Sequence, residues 1–540
     1  MNLDKGAVTF VLHTHLPYCR LAGRWPHGEE WLHEAMLECY LPLLRAFRRL
    51  ADDIPGSLGV TINLTPVLAE QIRDELINRH FAVYLAERIE RAETDVARFA
   101  EEGGRRAATA EFHRDRYRAI ATFYHDTIQG DVLGGFRALE ESGHIEIATC
   151  AATHGYLPLL DDDAAVRFQV QTGVESHERN FGRRPRSFWL PECAYEPGLE
   201  RFLEEAGVKV FFVETHLVTG GRARGKALGD VVGPYAEMRK RAANTVELPA
   251  GSGTTFRAYH AGQSNVSVIA RNEATGLQVW SAAHGYPGDG LYREFHKKDE
   301  TSGLHYWRVT GAKVDLGDKD LYDPGSAAAM ARSHADHFRG VITAESGAYH
   351  SGTGNHGLVA MAYDTELFGH WWLEGVDFLE ETIRRLAREG SVELTTAGAF
   401  VEAHPPTDSI DLPEGSWGNG GDHRTWLNPE TAWTWPEIHS RQRRAATLLA
   451  SDSAAADQLG RELLLLQSSD WQFLMTTGQA HDYAIQRFRE HAARFDSLAN
   501  AMEANSPEIP VLVQELYELD NPFPAINPAQ YGAAAPAMRA

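Results

Sequence analysis

Up to about residue 400, short apolar runs rich in β-branched residues alternate with longer amphipathic stretches, and this alternation constrains the fold more than any other feature of the chain. A strand that is apolar at every position must be covered on both faces. Parallel sheets meet that demand, because the helix that follows each strand packs back onto the sheet. Seven segments read as strands: Val8–Leu12, Leu58–Leu64, Ile145–Cys150, Ser187–Leu190, Val208–Val213, Leu358–Tyr363 and Val392–Leu394. The stretch Pro197–Val213 shows the local logic. Leu199, Phe202 and Leu203 have helical spacing, Gly207 can end the helix, and VKVFFV follows as a strand.

Two long segments interrupt the rhythm. Residues 66–143 are helical in pattern and rich in Glu and Arg, which predicts a helical subdomain inserted between the second and third strands. Residues 220–325 are rich in Gly, polar and aromatic residues and read as long loops with a hairpin, of the kind that builds a substrate site in a barrel. Together these place a catalytic barrel over 1–405. From 406 to 540 the pattern becomes helical, at His439–Ala450, Ala454–Met475 and Ala480–Ala504, after a Trp- and Gly-rich loop at Ser416–Trp435.

The reactive side chains fall just past the strands. His13 and His15 follow the first, His154 the third, Glu192 the fourth, Glu214 and His216 the fifth, and Asp364 and Glu366 the sixth. In a parallel barrel all strand C-termini open on one face, so residues far apart in sequence converge there. Glu192 and Asp364 each end an apolar run among aromatics, and two acids on one rim suit glycoside cleavage, where one carboxyl protonates and the other attacks or activates water. The plain alternative is a pair of rim acids bonded to Arg or capping helices.

His13 and His15 keep two readings open. They can hydrogen-bond substrate or structure, or they can present imidazoles to a metal ion, with His154 and Asp364 completing the ligand set. The twelve tryptophans raise a similar choice, because an indole packs against a sugar ring as readily as against a core. The loop SWGNGGDHRTWL favours the first for Trp417 and Trp426, its glycines allowing tight turns that leave both indoles accessible.

Charge narrows the partners. With 52 Lys and Arg against 75 Asp and Glu, the formal net charge is -23, which disfavours nucleic acid and anionic lipid and suits a neutral substrate. The four cysteines lack CxxC spacing, no apolar run reaches the length of a membrane span, and the first apolar stretch is too short for a signal-peptide core. A reduced, cytoplasmic protein is expected.

Several motifs resemble glycoside hydrolase family 57: HTHLPY, THGYLPLL, WLPECAY, VWSAAHGYPGD, YDTELFGHWW, SWGNGG and QSSDWQFLM, running from His13 to Met475. Within that family they are most similar to 1,4-α-glucan branching members. The resemblance implies an α/β fold, an incomplete (β/α)7 TIM-like barrel with a helical insertion and a C-terminal helical domain. It implies retaining transfer of α-1,4-glucan segments to a 6-hydroxyl, with Glu192 as nucleophile and Asp364 as acid/base. It further implies substrate contacts at His13, His154, Arg271, Trp280, Gly288, Trp417, Trp426 and Asp470, with no metal. His15, beside His13, and Trp25, in a loop-like context, are candidate substrate contacts from the residues themselves, and no cofactor is expected. Branching members also carry a loop tyrosine that shields the intermediate from water. Here Tyr235 and Tyr259 both qualify, and Tyr259 is the favoured counterpart. The rival activities are α-glucan hydrolysis or 4-α-glucanotransfer on the same scaffold, metal-dependent deacetylation or amide hydrolysis, and non-catalytic glucan binding.

Overall fold

A computed structural model describes residues 6–222, 247–248, 253–280, 285–450 and 453–532. Its twelve strands among those residues are β1 (Ala7–Thr14), β2 (Val60–Leu64), β3 (Ile145–Cys150), β4 (Ser187–Trp189), β5 (Val210–Val213), β6 (Gly221–Arg222), β7 (Glu247–Leu248), β8 (Tyr259–Ala261), β9 (Ser267–Ala270), β10 (Leu358–Asp364), β11 (Glu393–Leu394) and β12 (Ser409–Ile410). The curled sheet runs β10-β1-β2-β3-β4-β5-β9-β8-β12, and β6 pairs only with β7. From β10 to β9 every pairing is parallel, and β1, β2, β3 and β10 are buried at every position. This is the half-open (β/α)7 barrel expected. Its two ends approach where Asn272 N donates to Ala360 O over 2.8 Å.

All seven expected strands are present, but the seventh member of the parallel arc is a different one. Glu393–Leu394 forks off the start of β1 as a two-residue strand, whereas β9, which lies in the stretch read as loops, pairs in parallel with β5. The run SVIA is too short to stand out by period, and β8 turns back antiparallel on it as the hairpin.

Between β2 and β3 the chain forms helices at Pro66–Arg73, Glu75–Phe99, Gly104–Thr122 and Val132–Glu141. Asp74 starts the longest by accepting from Ile77 N (2.9 Å), which satisfies one of the amides a helix leaves open at its N-terminus. Helix Asp163–Phe181 lies so close to β3 that a Cβ on Gly173 would meet Cys150 O at 2.1 Å. After β12, helices Thr434–Leu448, Ala454–Leu466, Asp470–Thr477 and His481–Glu503 pack together and against the loop following β3. Ser469 N donates to His154 O (3.0 Å), and Thr153 Oγ1 donates to Leu464 O. That docking carries residues from near position 470 onto the C-terminal rim of the sheet. Among the described residues, no helix is long and apolar enough to cross a membrane.

Candidate active site

His13 and Asp364 end adjacent strands in register with each other, and Asn63 sits opposite His13 on β2. These three set the floor of the site. Asn63 spends its Nδ2 on Ala148 O (3.2 Å), so its Oδ1 is the acceptor and His13 Nδ1 donates to it across 2.7 Å. In a neutral His13 the Nε2 is then an acceptor, 3.1 Å from His154 Nε2. The other nitrogen of His154 lies 2.9 Å from Ser469 Oγ, which is also 3.4 Å from Glu192 Oε1. A single hydroxyl proton at Ser469 can serve His154 or Glu192 but not both at once. His13 stacks on Trp189 (centroids 4.7 Å, 10°), and His15 stacks on His154 (3.9 Å, 18°), so the imidazoles are held as a pack rather than as isolated rings.

Glu192 follows Pro191 on a left-handed turn, with φ 59° and ψ 23°, and Cys193 repeats the sign at φ 48°. A non-glycine pair in this region is strained, and such strain persists where surrounding contacts over-determine it. Here the contacts come from the loop after β12. Trp417 Nε1 donates to Glu192 Oε2 at 2.7 Å and Trp417 N donates to Glu192 O at 3.0 Å. His154, at φ 58°, shares the left-handed conformation.

Around Asp364 the turn is clamped to β1. Thr14 Oγ1 donates to Thr365 Oγ1 (2.7 Å), and Glu366 Oε1 accepts from Tyr40 Oη (2.6 Å) and from His15 N (3.2 Å). Burial drives the Glu366 carboxyl up to about 7, with the nearby Asp364 charge adding to it and the Tyr40 hydrogen bond opposing it. Burial by itself would lower His15, but the attraction and hydrogen bond of Asp470 outweigh it and the imidazole is raised above its ordinary value. His15 Nε2 lies 3.0 Å from Asp470 Oδ1, and Nδ1 lies 3.0 Å from Thr65 Oγ1. At the end of β9, Arg271 pairs with Glu214 over 2.7 Å in a buried ion pair.

The structure therefore gathers Glu192, His13, His15, His154, Asp470 and Trp417 into one contact network, with Asp364 beside His13 at the strand ends. Other expected positions fall differently. Trp25 is 76% exposed on the loop after β1, and Trp280 ends helix Glu273–Trp280 near the Tyr363 ring (6.5 Å). Gly288 closes a short turn whose Tyr286 bonds His337.

Trp426 is not an accessible indole as expected. It is 0% exposed, stacked on Tyr156 at 4.3 Å, because the glycine loop folds inward and Trp435 Nε1 ties it down at Trp426 O. Trp417 is likewise only 2% exposed. Tyr259 is not at a loop tip: it belongs to β8, is 6% exposed, and its hydroxyl accepts from Thr254 N (2.9 Å). Its rival Tyr235 lies outside the described residues.

The three groups whose ligand atoms come within 4.8 Å here are His15, His154 and Asp470, not the His13, His15, His154 and Asp364 set of the metal reading. Sequence reasoning also passed over Asn63 and Ser469. Asn63 ends a strand as the other site residues do, and Ser469 stood inside the quoted QSSDWQFLM motif.

Comparison with known proteins agrees with this architecture. The profile of glycosyl hydrolase family 57 matches residues 9–413, and that of the C-terminal part of 1,4-alpha-glucan branching enzyme matches residues 437–531. A curated 1,4-alpha-glucan branching enzyme of Thermococcus kodakarensis is 43% identical, over 96% of this chain and 77% of its own length. The crystal structure of that enzyme in complex with glucose and additives superposes with a TM-score of 0.89 at 41% identity, covering 98% of this chain and 97% of the other. A GH57-type branching enzyme from Pyrococcus horikoshii gives a TM-score of 0.87 at 40% identity, covering 99% and 98%. The alpha-amylase AmyC of Thermotoga maritima gives 0.83 at 28%, covering 98% and 99%. With the parallel arc, the left-handed turn at Glu192 and the family profile spanning both Glu192 and Asp364, the chain belongs to glycosyl hydrolase family 57.

Proposed function

We propose that the chain is a 1,4-α-glucan branching enzyme that works by double displacement. Asp364 protonates the oxygen of an α-1,4 bond while the Glu192 carboxylate attacks the anomeric carbon, breaking the glycosidic bond and forming a glycosyl ester. Asp364, now ionised, takes the proton of a 6-hydroxyl on a second chain, whose oxygen displaces Glu192 and closes an α-1,6 branch. Two inversions give net retention.

One observation carries the reading. The segment matched by the branching-enzyme C-terminal profile brings Ser469 and Asp470 against Glu192, His154 and His15, so the part that resembles branching enzymes is also built into the site. The electrostatics support it: Trp417 Nε1 donates to Glu192 Oε2 and Ser469 Oγ lies 3.4 Å from Oε1, so polar donors orient the carboxylate that attacks. His13, His154 and Asp470 are assigned to the sugar at the cleavage point, and Arg271 holds Glu214 at the rim. Residues 1–405 form the catalytic part and 406–540 the helical part that completes it. Four free, buried cysteines support a reducing compartment, and storage-glucan synthesis in the cytoplasm is the assigned setting.

A second reading, hydrolysis, is favoured by the fixed position of Tyr259 and by the likeness to an alpha-amylase. Incubating amylose with the protein and counting α-1,6 linkages by proton NMR beside newly formed reducing ends decides between the two. Branching predicts α-1,6 linkages in excess of reducing ends. Reducing ends without α-1,6 linkages overturn it.

A further inference from the structure

The barrel floor, at the N-terminal ends of the strands, carries a cluster that the proposed reaction does not use. His356 stands two residues before β10, Glu393 opens β11, and His404 closes helix Ala397–Ala403. Ala7 is in register with Leu358 on one side and with Glu393 on the other. Ala7 N donates to Gly357 O (2.7 Å) and Glu393 N donates to Gly6 O (3.0 Å), which pins both neighbouring backbones against the same end of β1. His404 N donates to Phe400 O (2.8 Å) and holds the third residue at the helix end. As a result one ligand atom from each side chain lies within 4.8 Å of the others. His356 Nε2 is 3.8 Å from Glu393 Oε2, and the two imidazole rings face each other at 4.6 Å and 23°. His404 is exposed and His356 and Glu393 are half-buried, with His356 Nε2 itself enclosed, so an ion approaches from the His404 side.

We propose that His356, Glu393 and His404 form a binding site for a divalent transition-metal ion of the zinc type. Two imidazoles and one carboxylate suit Zn²⁺, Co²⁺ or Ni²⁺, whereas Ca²⁺ and Mg²⁺ take oxygen ligands. Ligand atoms of a tetrahedral ion with bonds of ~2.0–2.1 Å stand ~3.3 Å apart, so the three must draw in by about an ångström. A metal lies in the plane of the imidazole it binds, so the stacked rings must also rotate. Both moves are rotations about a terminal sp³–sp² torsion, which is broad and soft, and need no backbone shift. Water fills the remaining position. About 20 Å of β10 separates this floor from Asp364, so the ion cross-links β10, β11 and the last barrel helix rather than taking part in glucan chemistry.

Two other groups of this kind occur among the described residues. His15, His154 and Asp470 belong to the candidate active site. Glu462, His491 and Asp520 are sealed inside the C-terminal helices, where Arg487 donates to His491 Nε2 and Arg494 pairs with Asp520.

The test is a calorimetric titration of metal-free full-length protein with zinc chloride at pH 7.5, repeated with cobalt chloride while visible absorption is recorded. One site with Kd below about 10 µM is expected, together with a rise in Tm of about 2 °C or more at saturating zinc. His404→Ala and Glu393→Gln should each weaken binding at least about tenfold and abolish the cobalt visible bands, with glucan activity unchanged. Binding weaker than that Kd overturns the proposal. So does affinity unchanged in His404→Ala, or affinity lost in His15→Ala instead, which would move the ion to the active site. None of these readouts depends on whether the chain branches or hydrolyses glucan.

Discussion

The indole nitrogen of Trp417 donates to a carboxylate oxygen of Glu192 across 2.7 Å, while the Trp417 backbone amide holds the Glu192 carbonyl at 3.0 Å. A residue 225 positions away thus fixes both the direction of the Glu192 carboxylate and its left-handed backbone. A hydrogen bond to a charged group contributes ~1.5–3 kcal/mol. Trp417→Phe, which keeps an aromatic ring but loses the donor, should lower kcat on amylose roughly 10–100-fold with a smaller change in KM, as steady-state kinetics will read.

Glu366 gives the site a pH-dependent stability. Its folded value of about 7 is raised above the ordinary 4.5, so between those two values the folded chain holds a proton that the unfolded chain releases. Stability therefore falls as pH rises through that window and levels off above it, by on the order of 3 kcal/mol in all. Glu366→Gln still accepts from Tyr40 and His15 but cannot ionise. Urea melts at pH 5 and pH 8 should differ less in the variant than in the parent by about that amount, and equal differences would remove Glu366 as the source.

Two glycines should answer the same substitution with opposite signs. Gly369 sits at φ +107°, and a Cβ there would meet Glu38 O at 2.1 Å, so Gly369→Ala should cost about 3 kcal/mol or more because backbone must move. Gly340 lies within helix Pro324–Thr353 with open space around it, so Gly340→Ala should stabilise by ~0.5–1 kcal/mol. Denaturant midpoints measure both.

The shielding of the intermediate can be assigned by product ratio. Tyr259 is locked into β8 by its own hydroxyl, so Tyr259→Ala should change the ratio of α-1,6 linkages to reducing ends little. Tyr235→Ala should raise the share of intermediates lost to water, because water at ~55 M competes with a positioned hydroxyl only once it can enter. Should both variants leave the ratio at the parental value, neither tyrosine excludes water.

The sequence by itself determined what repeats locally. The runs at Ile145–Cys150 and Leu358–Tyr363 marked strands, whose every position the fold buries, and a polar residue just past each run marked the rim, which is why His13, His154, Glu192 and Asp364 were legible. The family motifs added Trp417 and Asp470, and the C-terminal helices followed from their apolar spacing. What only the tertiary structure decided were relations between segments that share no local pattern. The four-residue β9 becomes a strand because β5 offers it a parallel partner, and Tyr259 is drawn into β8 by that same edge. Trp426 is buried because Tyr156, far away in the sequence, stacks on it and the glycine loop folds inward over it, with Gly418 against the indole. The hydrogen-bonded series through Asn63, His13, His154 and Ser469 joins residues from four separate parts of the chain. Periodicity reports on neighbours three or four residues away, whereas a hydrogen bond between distant segments exists only once packing has brought its two ends within 3 Å or so of each other.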